Sequence, residues 1–268
     1  MAQGLEVEGY MKEFFSAKFK GLFFLVLLAL IWEVVSRNHL ISPLYFPPMS
    51  KNLIVFYRLT CDGTLPLELI RSFGRIFGGF FLAVAVMVPL GVAMGLFKMV
   101  YNLFEPLTEL IRPLPPPAII PIMMLFVGIG EAMKILVIFF ACSFPILINT
   151  MDGVRSVEPT LVDTARTFGR NRFEIIFQVI LPASLHQIFT GWRVALPIAL
   201  IVAIVSEMVG AVNGIGRFIL VMQRSFNIPE MYAGIFIVAI TGYVLNALLS
   251  YLEKTLIGWH KAKFEAVA

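Results

Sequence analysis

Charge is what this chain is short of. Only 14% of its 268 residues are Asp, Glu, Lys or Arg, and 59% are hydrophobic, where an ordinary soluble domain is about 25% charged. So few polar side chains cannot cover a soluble surface of this size. The chain reads as a membrane protein, and its mean hydropathy of +0.88 agrees. Cysteine is scarcer still, with two residues. Cys61 and Cys142 sit in unlike settings, the second inside an apolar run, so no disulfide is expected between them and Cys142 reads as packing. No G-x-x-x-x-G-K-[ST] run is present to cradle phosphates, nor an H-E-x-x-H, and His39, His186 and His260 are scattered. Nothing gathers acids, histidines or an activated serine for chemistry, which sets a membrane enzyme aside. Internal repeats and low-complexity tracts are also lacking. Lys12, Lys18 and Lys20 precede an apolar run that no small-residue cleavage site follows, so the first span is expected to be retained.

What is present is a series of apolar segments. A bilayer core of about 30 Å needs about 20 mostly apolar helical residues, and six segments meet that need, near 20 to 38, 72 to 97, 102 to 127, 132 to 151, 190 to 212 and 231 to 258. The expected class is all-α and polytopic. In the third segment, RPLPPPAIIP must break the helix. Freed backbone is tolerated in lipid only where protein or a water-filled cavity satisfies it, so that segment is expected to face the protein interior. Between the first two spans, SPLYFPPMSKN leads to Asp62-Gly63, a turn signal. The net charge of +4 is weak evidence for nucleic acid. Its distribution matters more: the first twenty residues, the 153 to 193 segment and the tail with Lys254, Lys261 and Lys263 carry clustered cations. With six spans all three regions fall on one side, the cytoplasm, while Arg37, Lys51, Arg58, Arg71 and Arg75 fall outside.

The run DTARTFGRNRFEIIFQVILP, residues 163 to 182, is out of place among such segments. Read as composition, it is a solvated loop with positive-inside arginines. Its pattern says more. From Pro159, Leu161, Ala165, Phe168, Phe173, Ile176 and Phe177 recur at amphipathic spacing, interrupted by Gly169 and Asn171. A helix, a glycine-permitted bend and a second helix make a compact knob. Phe168 and Phe173 are costly to leave in water, so a partner pocket is their expected destination. Arg166, Arg170 and Arg172 are placed to pair with acids on that partner, and Pro182 is expected to end the second helix.

A-R-T-F-G followed after nine residues by V-I-L-P resembles the EAA loop of the inner-membrane permease subunits of ABC importers. Asp163 takes the place of the glutamate, Thr164 and Ala165 those of the alanines, Gly169 that of the glycine, Val179 that of the isoleucine, and Leu181-Pro182 the close. FPPMSKNL, SFGRIFGGFFLAVAVMVPLGVAMGLF, LIRPLPPPAIIPIMMLFVGIGEAMKI, FPILINTMDGVRSVEP and AIVSEMVGAVNGIG extend the resemblance to the nitrate/sulfonate/taurine/bicarbonate group over roughly residues 46 to 260. His186 stands where that group has a proline. The resemblance implies the type I ABC importer permease fold, with a cytoplasmic segment 1–20, a permease domain 21–260 containing the coupling loop 155–182, and a tail 261–268. It implies a bacterial inner-membrane, multi-pass subunit with both termini cytoplasmic, paired with a second permease chain, most simply a copy of itself. Two ATPase subunits would dock on the loops and an external binding protein would deliver a small solute, such as a sulfonate, nitrate or bicarbonate. No cofactor is expected in this chain, and ATP with magnesium belongs to the ATPase.

Glu207 lies inside an apolar span, where an ionisable side chain costs several kcal/mol unless paired or wet. It lines the path or locks a gate, or else it forms a structural pair with Arg193 or a hydrogen bond with Ser206. A gradient-driven secondary transporter using Glu207 as proton carrier is the alternative function, and it leaves the knob unexplained. Glu33 and Arg37, four apart, are expected to pair with each other. The broken segment, with Asn149 and Asn213, offers irregular backbone at membrane depth, where transporters bind solutes. Met123, Met124 and Phe126 line a pore or pack. Gly128, Gly130, Gly214 and Gly216 serve the path or close helix contact. Arg71 and Arg75 attract an anion at the outer mouth, dock a binding protein or solvate a helix face.

Overall fold

A computed structural model describes residues 20, 21 and 23–256 of the chain. Most of the N-terminal segment 1–20 and all of the tail 261–268 lie outside the described residues. Eleven helices are named here, beginning with α1 (residues 23–37). There follow α2 (Met49–Cys61), α3 (Thr64–Leu96), α4 (Lys98–Ile111), α5 (Ile120–Val127), α6 (Glu131–Arg155), α7 (Pro159–Thr167), α8 (Arg172–Ile175), α9 (Leu181–Met208), α10 (Ile215–Arg224) and α11 (Ile228–Leu256). No strand occurs among the described residues.

Small residues set the helix register. A Cβ on Gly79 would collide with Ile138, one on Gly91 with Thr150 and one on Gly95 with Val154. Numbers rising together along both helices mean that α3 and α6 run parallel, backbone to backbone. Gly153 faces Ser184 and Gln187, whereas Gly191 faces Pro145, Ile146 and Asn149, so α6 and α9 are antiparallel. The same holds for α9 and α11, where Gly242 lies against Leu200 and Glu253 pairs with Arg193. Their shared interior is one core that includes Ile76, Phe80, Val137, Ile138, Cys142, Ala195 and Ala199.

This register decides how the broken segment runs. Four helical stretches are long and apolar enough to cross a membrane: Thr64–Leu96, Glu131–Arg155, Arg172–Met208 and Ile228–Leu256. Lys98–Ile111 with Pro116–Val127 forms a fifth only if a 92° bend is counted within one span. Since α3 and α6 are parallel, the chain joining the end of one to the start of the other must travel back across the bundle. The bent pair therefore makes that crossing. On α1, Trp32 donates to the Pro47 carbonyl at 3.0 Å and stacks on Phe46, with Tyr232 of α11 at its edge. The end of α1 thus meets the start of α11, and the fifteen residues of α1 are about 22 Å long. Among the described residues four helices, or five with the bent pair, are long and apolar enough to cross, against the six expected, and the described part of α1 is shorter than a crossing requires.

Three expectations change. The second span begins at Thr64 rather than near 72, set off by Gly63 at φ +83° and by the Asp62 side chain accepting from the Thr64 N–H at 2.9 Å. The fifth span begins at Arg172 instead of 190, because Pro182 does not end the helix. Residues Ile176–Ile180 form a π turn, and the Leu181 N–H reaches the Ile176 carbonyl. The wider turn takes up the register change next to Pro182, which has no N–H to donate. The span stops at Met208, and 209–214 form a bend with Gly210 and Gly214 at positive φ. Third, the broken segment is not buried in this chain. No α4 residue is buried, only Ile119 and Ile120 are buried after the break, and Leu125 and Phe126 are 88% and 80% exposed. An apolar helix face of that extent must meet lipid or another chain.

Candidate functional site

The knob is built by two complementary caps. Helix α7 opens with Pro159 in its first turn, where the missing N–H would be unpaired anyway. It ends at Gly169, φ +76°, whose N–H donates to the Arg166 carbonyl at 2.9 Å while the Arg170 N–H donates to that of Ala165 at 3.2 Å. This is the six-to-one, five-to-two closure of a left-handed glycine cap. Two residues on, the Asn171 side chain accepts from the Glu174 N–H at 2.9 Å and Glu174 accepts from the Asn171 N–H at 2.8 Å. That reciprocal box starts α8. Asp163 pairs with Arg166 at 3.1 Å and Arg170 with Glu174 at 3.3 Å.

The inner side of the knob is glued to the spans. Ala165, Ile175 and Ile180 pack with Val154 of α6, and Val92 and Leu96 of α3 close the cluster. Arg155 at the end of α6 lies 3.8 Å over the Tyr101 ring of α4. Its outer side is bare, with Phe168 80%, Phe173 75% and Phe177 65% exposed. Arg166, Arg170 and Arg172 rim a groove of about 770 Å³ floored by Leu96, Ile175 and Ile180. Thr164 turns its hydroxyl back to the Thr160 carbonyl at 2.7 Å, while Leu181 and Pro182 lie in the continuous helix behind the π turn. All ten expected coupling residues thus fall on one small unit, a rigid apolar hub with an exposed aromatic and cationic face.

At the other end of the bundle lies a second constellation, centred on Glu207 and Arg75. Glu207 is 1% exposed. It accepts from Arg75 Nη1 at 2.6 Å, from Ser72 Oγ at 3.0 Å and from the Gly216 N–H at 2.8 Å. Arg75 spends all five of its N–H donors, two on Glu131, one on Glu207 and two on Asn213. Lys134 adds a bond to Glu131 at 2.9 Å. Ser72 accepts from the Ile215 N–H, and Glu68 from that of Gly214. A Cβ on Gly214 would overlap both the Arg75 guanidinium and the Glu207 carboxylate, so only glycine fits. The cluster joins α3, α6, α9, the 209–214 bend and α10 in a low-dielectric interior where such bonds are strong and costly to leave unmade.

This arrangement revises several expected partners. Glu207 pairs with Arg75, not with Arg193 or Ser206. Arg193 is in contact with Glu253 of α11, and Ser206 donates to the Ala203 carbonyl of its own helix at 2.8 Å. Arg75, with every donor taken, neither solvates a helix face nor is open to an anion, and Arg71 pairs with Glu68 at 2.6 Å. Asn213 is engaged in the cluster. Met123 and Met124 pack on the main core, whereas Phe126 points away from it. The Glu33–Arg37 pair forms at 2.6 Å, and Cys61 and Cys142 are both free. Glu68, Ser72 and Arg75 share one face of α3 at helical spacing, a polar stripe on an apolar helix that was a readable sign of the cluster.

Residues 85–257 match the family of binding-protein-dependent transport system inner membrane components. The chain is 34% identical over 241 residues to the taurine transport system permease protein of Escherichia coli, covering 88% of each. It is 29% identical over 239 residues to the nitrate import permease protein of Leptolyngbya laminosa, covering 87% of this chain and 85% of that one. Among solved structures, the inward-facing MetNI methionine ABC transporter superposes with a TM-score of 0.60 at 17% identity, over 72% of this chain and 94% of the other.

Proposed function

The chain belongs to the binding-protein-dependent transport system inner membrane components and is the permease subunit of an ABC importer, and on that premise we propose how its parts serve import. The knob at 155–182 docks on an ATPase subunit carried by a separate chain, which binds ATP and magnesium and does the hydrolysis. Two permease chains, copies of this one, stand together with their broken spans facing each other, and an external binding protein delivers a small anion. The knob end and both termini lie in the cytoplasm of a bacterial cell, and the Arg75–Glu207 cluster lies at the outer face.

The observation that carries this reading is the two-faced knob. Phe168, Phe173 and Phe177 stand exposed on one side, and the other is packed onto the ends of α3 and α6. A groove closing on the exposed face pulls on both helices, and two rigid halves rock about their contact. ATP drives the motion only through its differential affinity for the two arrangements. The exposed apolar flank of α4 and α5 supports the paired copy. The relatives are named for taurine and nitrate, and both solutes present an oxyanion. A gradient-driven carrier would need Glu207 free of fixed partners for part of each cycle. Glu207 instead accepts three hydrogen bonds, one of them from its ion-pair partner Arg75.

The test is co-purification of the tagged chain with its ATPase in mild detergent, wild type against Phe168→Asp. The wild type is expected to hold the ATPase and the variant to lose it at least tenfold. A wild type that purifies alone, or a variant that binds equally, overturns the docking reading.

A further inference from the structure

Between the break of the third crossing, α6 and α9 lies a cavity of about 410 Å³. Its wall is largely apolar, with Phe140, Phe144, Ile148, Val194 and Ile198, and two polar side chains reach it, Arg112 and Asn149. Ile148 and Asn149 lie about 10 Å short of the inner end of α6 at Arg155, and Phe140 lies about 22 Å from it. The cavity is therefore at membrane depth. Pro145 has no N–H to offer the Ala141 carbonyl, and Ala141 also lines the cavity. Asn149 donates to the Pro145 carbonyl at 2.8 Å.

Arg112 is the singular feature. It caps α4 at the point where the helix breaks. Arg75 has all five donors satisfied and Arg193 is held by Glu253, but the Arg112 guanidinium donates no hydrogen bond among the described residues. Its one ionic neighbour is Glu109, at 3.6 Å with both side chains more than half exposed. A guanidinium at membrane depth needs a water-filled space or an acceptor, and this one borders the cavity with its planar fork free of hydrogen bonds.

Resting on the reading of the chain as an importer permease for an anion, we propose that Arg112 and Asn149 form the subsite that holds the solute midway through this subunit, and that the solute is an organic oxyanion. The fork of Arg112 pairs with two oxygens of a sulfonate or carboxylate. Asn149 contributes its side-chain amide to the same head group, and Phe140, Phe144 and Ile198 receive the hydrocarbon or aryl part. The volume and apolar wall suit a ligand with a carbon skeleton and leave a bare inorganic anion mostly in contact with groups that cannot bond it. Because Arg112 sits at the break, motion of α4 against α6 opens or closes the pair.

The test uses the complete importer, permease with ATPase and binding protein, reconstituted in proteoliposomes, with methanesulfonate, butanesulfonate, benzenesulfonate and nitrate as probes. Assembly is scored first by ATPase co-purification. Wild type is expected to carry butanesulfonate or benzenesulfonate at least tenfold faster than nitrate. Arg112→Gln is expected to lower that uptake tenfold or more, with Arg112→Lys recovering part of it and Asn149→Leu losing several-fold. Ile198→Phe, which fills the cavity, should abolish uptake of benzenesulfonate and spare methanesulfonate. Lys51→Gln, removing an outer cation, should stay within twofold of wild type. An importer that fails to assemble overturns the proposed ATPase docking and this inference with it. An assembled importer that carries nitrate as fast as the sulfonates, carries none of the four, or is indifferent to Arg112→Gln overturns the subsite alone.

Discussion

Replacing Glu207 by glutamine removes one charge and no volume, and the geometry around it fixes the consequence. The carboxylate places one oxygen against Arg75 Nη1 and the other against both Ser72 Oγ and the Gly216 N–H. Arg75 and the Gly216 N–H can only donate. Whichever way the new amide turns, its NH2 faces a buried donor. Breaking one side of a buried pair costs roughly 3–5 kcal/mol. Arg75 keeps two bonds to Glu131 and two to Asn213, so the lower end of that range, about 3 kcal/mol, applies. For a chain of this size each kcal/mol moves the melting midpoint by about 2–4 °C, giving a fall of roughly 6–12 °C. Cys142 is fully buried and Cys61 exposed, so a thiol-reactive dye in a Cys61→Ser background reports unfolding through Cys142. Arg58→Gln, which breaks an exposed pair with Glu230, should shift the midpoint little, because such pairs contribute about 0–1 kcal/mol. A Glu207→Gln midpoint within 2 °C of the parent, with transport lost, would refute the structural account and assign Glu207 to the gate.

The other predictions concern the knob, the helix contacts and the topology. Gly169 has φ +76° but open space around its Cα, so Gly169→Ala is expected to cost only about 1–2 kcal/mol of backbone strain and to weaken ATPase docking less than Phe168→Asp does. Quantitative pull-down checks the order. Gly79→Val drives a side chain into Ile138 and the Ile135 carbonyl, whereas a Cβ on Gly78 finds its nearest atom at 3.6 Å. The first should lower the melting midpoint by the equivalent of about 1–3 kcal/mol or more, the second hardly at all. In intact cells, a membrane-impermeant maleimide is expected to label Cys61 and spare Cys142. Labelling of Cys61 only after the membrane is breached would invert the proposed orientation.

Much of the knob was legible in the residues because it is local. Pro159, Gly169, Asn171 and Glu174 each act within one helical turn, and two phenylalanines between arginines mark an exposed face whatever the rest of the chain does. Four of the crossings, and a fifth as a bent pair, were legible for the same reason, since about 20 apolar residues span a bilayer by length alone. Pro182 was misread because a proline taken by itself breaks a helix, whereas here the π turn before it absorbs the missing bond. The partners of Glu207 and Arg75 were out of reach. The two residues are 132 positions apart, and a buried acid in an apolar run states only that a partner exists. Tertiary structure alone chose Arg75, because glycines at 79, 91 and 95 let α3 lie parallel and close to α6, and Gly214 and Gly216 let the bend approach both charges. It also decided that the proline-broken segment completes a crossing instead of re-entering. Sequence dictates what each segment can bury and where its helix can start, bend or stop. Which segments meet depends on backbone approach between distant residues, and only the packed fold supplies that geometry.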